Sequence, residues 1–163
     1  MQARALDARE GGDLLAALWS GGRLEQAFDA GALRRLAGYL QFARVGAGRR
    51  LIVQDEPGDF MLIVLDGRIG VERVPDVGTP SQIVEAHAGD VLGDMALLDD
   101  GPRFSTCTTR SECGLAVLET EALARLMRED PHLALVLMAA LARRLSLRVR
   151  RVSARLSALL SDA

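Results

Sequence analysis

Gly93-Asp94-Met95-Ala96-Leu97-Leu98-Asp99-Asp100-Gly101-Pro102-Arg103-Phe104-Ser105-Thr106 is the stretch on which the reading of this chain turns. A glycine and a carboxylate open a short apolar run. A Pro-Arg pair closes it, with the arginine nine residues after the carboxylate. That order suits a sugar phosphate. Backbone N–H groups at the start of a short helix can face an anion. A carboxylate accepts hydrogen bonds from sugar hydroxyls, and an arginine forks onto phosphate oxygens.

Working outward, the texture from Leu40 to Leu118 is that of short strands. Apolar runs alternate with turn residues at Gly46-Ala47-Gly48, Glu56-Pro57-Gly58-Asp59, Asp66-Gly67, Pro75 to Pro80 and Ala88-Gly89-Asp90. Nine of the 16 glycines fall between positions 46 and 101. Turns at this spacing predict a small barrel or sandwich of about eight strands. Leu51-Ile52-Val53 and Leu62-Ile63-Val64-Leu65 read as buried strands, and Asp66-Gly67 predicts a hairpin between Met61–Leu65 and Arg68–Val74.

Both flanks read as helix. Asp13 to Trp19 is an amphipathic segment stopped by Gly21-Gly22, and Ala32 to Ala37 is a second, with Leu33, Leu36 and Leu40 on one face. No glycine follows Gly114. Thr120 is placed to cap a helix over Glu121–Arg128. Asp130-Pro131 starts another, with proline at a tolerated first-turn position. Nothing interrupts it up to Leu160, so it spans roughly 45 Å and needs a partner surface. Met138, Leu141, Leu145, Val149, Val152, Leu156 and Leu159 form one apolar seam, flanked by Arg144, Arg148, Arg151 and Arg155. The 3-4-4 step from Met138 to Val149 departs from a strict heptad, which predicts a short pairing rather than a long regular coiled coil.

At 163 residues the chain is long enough for one domain with a real core. Residues 51–100 carry eleven acids and two arginines, whereas residues 131–163 carry six arginines and one acid. Every cation is arginine, which genome base composition explains without any appeal to phosphate binding. Cys107 and Cys113 read as small buried hydrophobes in a reducing compartment. His87 and His132 are too isolated to build a metal centre with them, which also argues against a metal-dependent β-barrel enzyme. No apolar run reaches transmembrane length and the N-terminus lacks a signal-peptide core, so a cytoplasmic location is expected.

The stretch 93–106 resembles the phosphate-binding cassette of the cyclic-nucleotide-binding domain family, whose usual form is Gly-Glu-x-Ala-Leu, a short spacer, then Pro-Arg-x-Ala-Thr. Asp94 stands where that family has Glu, and Phe104-Ser105 where it has two small residues. The resemblance runs from about Phe28 to Leu156. It implies a mainly β, α+β architecture: a jelly-roll-like β-roll over 40–118 holding the cassette, an N-terminal helical segment over 1–39, and C-terminal helices over 119–163 with a dimerisation helix at 131–160.

For the site, the resemblance implies that Arg103 pairs with a cyclic phosphate; the competing expectation is a salt bridge to Asp99 or Asp100. Asp94 would hold the ribose 2′-hydroxyl, or else merely cap the cassette helix. Gly93 would let backbone approach the ligand. Met95, Ala96 and Ser105 complete the candidate ligand-binding set, while Leu97 and Leu98 are expected in the core. The Phe104 ring could point away, crowd the pocket or stack on a base. In the bacterial cAMP-receptor relatives, two hydroxyl residues on the long helix contact the base; here Arg148 and Val149 hold those positions. Arginine suits the O6/N7 edge of guanine, so cAMP and cGMP stand as equal candidates.

The resulting expectation is a non-enzymatic sensor, without a cofactor, that dimerises through helix 131–160. It would act on a larger effector or a membrane-protein partner without contacting DNA itself, because DNA-binding relatives carry a further helix-turn-helix after the long helix. The alternative is a degenerate domain that binds no nucleotide and serves as an interaction module.

Overall fold

The computed structural model describes residues 4–19, 28–74 and 84–161. The described residues form β1 (Arg4–Ala5), α1 (Ala8–Trp19), α2 (Ala30–Ala37), β2 (Gln41–Val45), β3 (Arg50–Ile52), β4 (Phe60–Asp66) and β5 (Ile69–Glu72). They continue with β6 (Val84–Ala86), β7 (Val91–Leu92), α3 (Asp94–Asp99), β8 (Thr106–Thr109), β9 (Cys113–Glu119), α4 (Thr120–Glu129) and α5 (Pro131–Ser161). Gly21-Gly22 and the Pro75–Pro80 turn lie outside the described residues.

Two antiparallel sheets, ordered β1-β2-β9-β4-β7 and β3-β8-β5-β6, make the roll. The eight strands β2–β9 occupy the span expected for them. β4 shows why its sequence is apolar throughout. Met61, Ile63 and Leu65 point into a cluster shared with the helices. Leu62 and Val64 point the other way, into a second cluster that includes Ile52, Ile69 and Cys107. Strand side chains alternate between faces, and both faces of β4 are covered.

The Asp66-Gly67 turn is not a hairpin. β4 pairs with β7 and β9, whereas β5 pairs with β6 and β8. The chain therefore turns a corner from one sheet to the other. Gly67 has φ +86°, and a Cβ there would strike the Glu112 carbonyl and lie 2.7 Å from Cys113 Sγ. Asp66 Oδ1 accepts from Gly114 N at 2.8 Å. The Asp-Gly pair supplies the positive φ that the corner needs. Such turn chemistry does not specify which strands the two arms bond.

Most helix boundaries follow from caps. Asp29 Oδ1 accepts from Ala32 N at 2.7 Å ahead of α2, and Asp130 Oδ1 accepts from Leu133 N at 3.1 Å ahead of α5. Thr120 is not a cap: its hydroxyl donates to the Asp59 carbonyl at 2.9 Å, and the N-cap position of α4 is Glu119. α1 begins before Asp13: Asp7 Oδ1 accepts from Arg9 N at 2.9 Å and from Glu10 N at 3.2 Å at its start, and Gly11 lies against the Phe42 ring, where a side chain would collide.

α5 divides in two. Leu133, Leu137 and Leu141 are fully buried in the helix-side cluster, and Met138 packs against it. From Ser146 to Ser161 every residue is exposed. The seam is therefore not one continuous free face. Its 3-4-4 irregularity marks where the helix leaves its own core. From Leu145 onward, Val149, Val152, Leu156 and Leu159 keep a regular 4-3-4-3 spacing.

Candidate functional site

The cassette follows β7 and enters α3 through Gly93, which has φ +77°. A Cβ at Gly93 would lie 2.5 Å from Arg103 Nη1 and 3.1 Å from the Phe60 carbonyl oxygen. Glycine is thus required both for the left-handed backbone and for the approach of the arginine.

Arg103 is 3% exposed. Its Nη1 donates to the Phe60 carbonyl at 2.7 Å and to the Gly93 carbonyl at 3.2 Å. The guanidinium carbon lies 4.3 Å from the Phe60 ring centroid. The backbone is held too: Arg103 N donates to Glu56 O and Asp55 N donates to Arg103 O, both at 2.9 Å. Arg103 therefore bonds carbonyls, not Asp99 or Asp100. Burial pushes the guanidinium below the usual arginine value, with the nearby Asp59 charge acting in the opposite direction. No protein group pairs with Nη2, which is buried.

Asp94 is 2% exposed and is the first residue of α3. It does not cap that helix: the N-cap is Gly93, with no side-chain hydrogen bond. Asp94 Oδ1 accepts from Arg148 Nη1 of α5 at 3.4 Å. Oδ2 is buried and has no protein partner.

The other expected residues separate cleanly. Ala96 and Leu97 are buried, and Leu97 joins the cluster that holds α4 and α5. Met95 and Leu98 are exposed, so Leu98 does not belong to the core. Ser105 is half-buried. Phe104 is 55% exposed. Arg73 covers it at 4.2 Å from the ring centroid and donates to the Phe104 carbonyl at 2.6 Å. Phe60, Gly58 and Arg73 are the neighbours that sequence reading missed. Gly58 was visible only as a turn residue, yet its backbone lies directly against the Arg103 guanidinium.

Among the described residues, an open cleft of about 490 Å³ lies over Asp55, Pro57–Asp59 and Asp100–Pro102, and another of about 530 Å³ lies between Gly38–Gln41 and residues of 119–128. Neither includes Asp94 or Arg103 in its lining. Asp94 Oδ2 and Arg103 Nη2 are covered by protein; among the described residues Trp19 Nε1, outside the cassette, is a third buried atom without a partner. Among the described residues no group of His, Cys, Asp and Glu could hold a metal ion, and no helix is long and apolar enough to cross a membrane.

A single cassette in the two-sheet roll thus carries one buried acceptor, Asp94 Oδ2, and one buried donor, Arg103 Nη2. The chain belongs to the cyclic nucleotide-binding domain family, whose profile matches residues 42–130. It is 28% identical over 120 residues to the CRP-like cAMP-activated global transcriptional regulator of Mycobacterium tuberculosis, covering 74% of this chain and 54% of that one. It is 31% identical over 111 residues to a cyclic nucleotide-gated potassium channel of Rhizobium etli, covering 68% of this chain and 30% of that one. The chain thus spans about half or less of these relatives' lengths. A crystal structure of a cyclic nucleotide-binding domain from Methylobacillus flagellatus superposes with a TM-score of 0.80 at 25% identity, covering 94% of this chain and 86% of that one.

Proposed function

We propose that this chain is a regulatory sensor that binds a cyclic nucleotide, cAMP or cGMP, at the cassette and signals by movement of α5. One observation carries the reading: Asp94 Oδ2 is a buried acceptor without a donor, and Arg103 Nη2 is a buried donor without an acceptor. Leaving such groups unpaired costs about 1–3 kcal/mol each. A ribose hydroxyl satisfies the first and a phosphate oxygen the second, and a cyclic nucleotide offers both in one small molecule.

The coupling follows from packing. Leu97 of α3 shares a cluster with Leu123 and Leu126 of α4 and with Leu133, Leu137 and Leu141 of α5. Arg148 ties α5 directly to Asp94, and the Arg144 guanidinium lies 5.5 Å from the Trp19 ring centroid. Because the two unpartnered atoms are covered, a nucleotide reaches them only when the cassette and α5 shift. Ligand binding and helix position are then one equilibrium. The module performs no chemistry itself, resides in the cytoplasm, pairs with a second copy through the exposed part of α5, and passes the signal to an effector.

The second reading, a fold that retains the cassette but binds no nucleotide, is favoured by the Arg148–Asp94 contact, which fills one carboxylate oxygen from within. Calorimetry on protein stripped of co-purified nucleotide separates the two. Saturable heat with cAMP or cGMP is expected; no heat with either at millimolar concentration overturns the sensor in favour of the second reading.

A further inference from the structure

α5 leaves the core at Leu141, and none of its described residues beyond that point is buried. Two arginines one helical turn apart hold this stretch against the protein. The Arg144 guanidinium lies on the Trp19 ring, and Arg148 Nη1 donates to Asp94 Oδ1 at 3.4 Å. The two ends of the second contact are unlike. The Arg148 side chain is 47% exposed, whereas that of Asp94 is 3% exposed. When the contact breaks, water replaces the carboxylate at the arginine. The buried carboxylate has no such substitute, because Arg148 is the one donor it meets among the described residues. A buried charge that loses its hydrogen bond is costly, so Asp94 favours the closed position of α5 until another donor arrives.

We propose that Arg148 is an autoinhibitory latch: it holds the carboxylate that the sugar needs, competes with the nucleotide for it, and raises the concentration at which the sensor responds. This inference rests on the cyclic-nucleotide reading above and gives the α5 contact a sign. The contact belongs to the closed, unliganded protein and is lost when α5 shifts to admit the nucleotide. An interaction made in only one of two states moves the equilibrium toward that state. A ligand that binds only the open form has its apparent affinity reduced by the fraction of protein that is open. The latch acts through that fraction and touches no part of the nucleotide. It therefore sets how much ligand is needed and is indifferent to the base.

The test is calorimetry and stopped-flow mixing with cAMP and cGMP on wild type, Arg148→Ala and Arg148→Lys. Trp19 is the sole tryptophan and carries Arg144 of α5 on its ring, so its fluorescence follows the helix. Arg148→Ala should bind each nucleotide more tightly, by roughly three- to tenfold, the range between a screened ion pair and a hydrogen bond to a buried charge. The gain should lie in the association rate, with dissociation unchanged, because the latch is already broken in the complex. Arg148→Lys keeps a charged donor and should stay nearer wild type. Thermal melts confirm that the half-exposed position tolerates both changes. Binding by Arg148→Ala where wild type binds nothing also supports the latch. Unchanged affinity in Arg148→Ala overturns the inference and leaves the sensor standing. So does weaker binding with faster dissociation, which places the arginine on the bound nucleotide, and so does a gain for one nucleotide only, which ties it to the base. No binding by any of the three proteins overturns the sensor itself, and this inference with it.

Discussion

Arg103 Nη1 donates to the Phe60 carbonyl at 2.7 Å while the same guanidinium lies on the Phe60 ring. The expected phosphate ligand is therefore also a structural residue, joining the end of the cassette to the first residue of β4. An arginine with only exposed aspartates around it would matter little to folding, but this one does not sit in that setting.

Arg103→Ala should accordingly lose on two counts. Two carbonyls, of Phe60 and Gly93, lose their side-chain donor, at about 1–3 kcal/mol for a buried group left unpaired. A loss of about 2 kcal/mol lowers the melting temperature by roughly 4–8 °C in a chain of this size. Nucleotide affinity should fall at least tenfold, because a charge-assisted fork is removed. Arg103→Lys keeps the charge without the fork and should fall between. Calorimetry and thermal melts on both variants check this; wild-type affinity in Arg103→Ala would remove the arginine from the site.

Gly58→Ala tests the packing around the same group without touching its charge. The new methyl would collide with Arg103 Nε and Cζ and lie 2.7 Å from its Cδ. The guanidinium is pinned on Phe60 and Gly93, so it yields only by giving up those bonds. Weaker nucleotide binding is expected, together with a lower melting temperature. A variant indistinguishable from wild type would mean that Arg103 is free to move.

Asp130 gives a pH dependence. Its hydrogen bond from Leu133 N, then the bond from Arg35, hold its carboxyl below the ordinary value of 3.8. A depressed folded-state value means that the contribution is complete above the unfolded value and is lost as pH falls through the folded one. Asp130→Ala should melt below wild type at pH 7. The gap should stay constant down to about pH 5 and close below about pH 3.8. Melts from pH 2.5 to 7 decide; a gap that widens in acid would contradict the assignment.

Cys107 and Cys113 should be inert. Burial pushes the Cys107 thiol up to about 11, with the Ser105 hydrogen bond and the Arg103 charge pulling only partly the other way. The Cys113 thiol is raised as well, again chiefly by burial. Since the thiolate is the reactive form, iodoacetamide at pH 8 should label neither in native protein and both in urea. Mass spectrometry reads the result, and native labelling would show that the strands open readily.

The exposed part of α5 should pair two copies. Val149, Val152, Leu156 and Leu159 are all more than half exposed, along one heptad-spaced face. Burying a Leu or Val contributes about 1.5–3 kcal/mol each, so a face of this size is costly to leave in water. Light scattering at tens of micromolar should give a dimer for wild type and a monomer for Leu156→Asp, with an unchanged melt for residues of the roll. A wild-type monomer would count against the pairing.

Much of this protein is legible in its sequence because the relevant signals are local. A glycine-carboxylate start and a Pro-Arg end nine residues on, turn residues at short intervals, and Asp130-Pro131 before a glycine-free run each constrain the backbone within a few residues. The cassette, eight strands and the long helix follow from them. Only the tertiary structure decided the rest. Asp66-Gly67 demands a tight turn whether its arms pair or part; closure of two sheets around Ile69 and Val64 sent them apart. The burial of Arg103 depends on Phe60, 43 residues away, and the bond from Arg148 to Asp94 spans 54 residues. The apolar seam of α5 reads as one stripe, and the roll's own core takes its first half while leaving the second exposed. Local chemistry sets dihedral angles and periodicity, whereas partners distant in sequence are chosen by which packing buries the most apolar surface and leaves the fewest polar atoms unpaired.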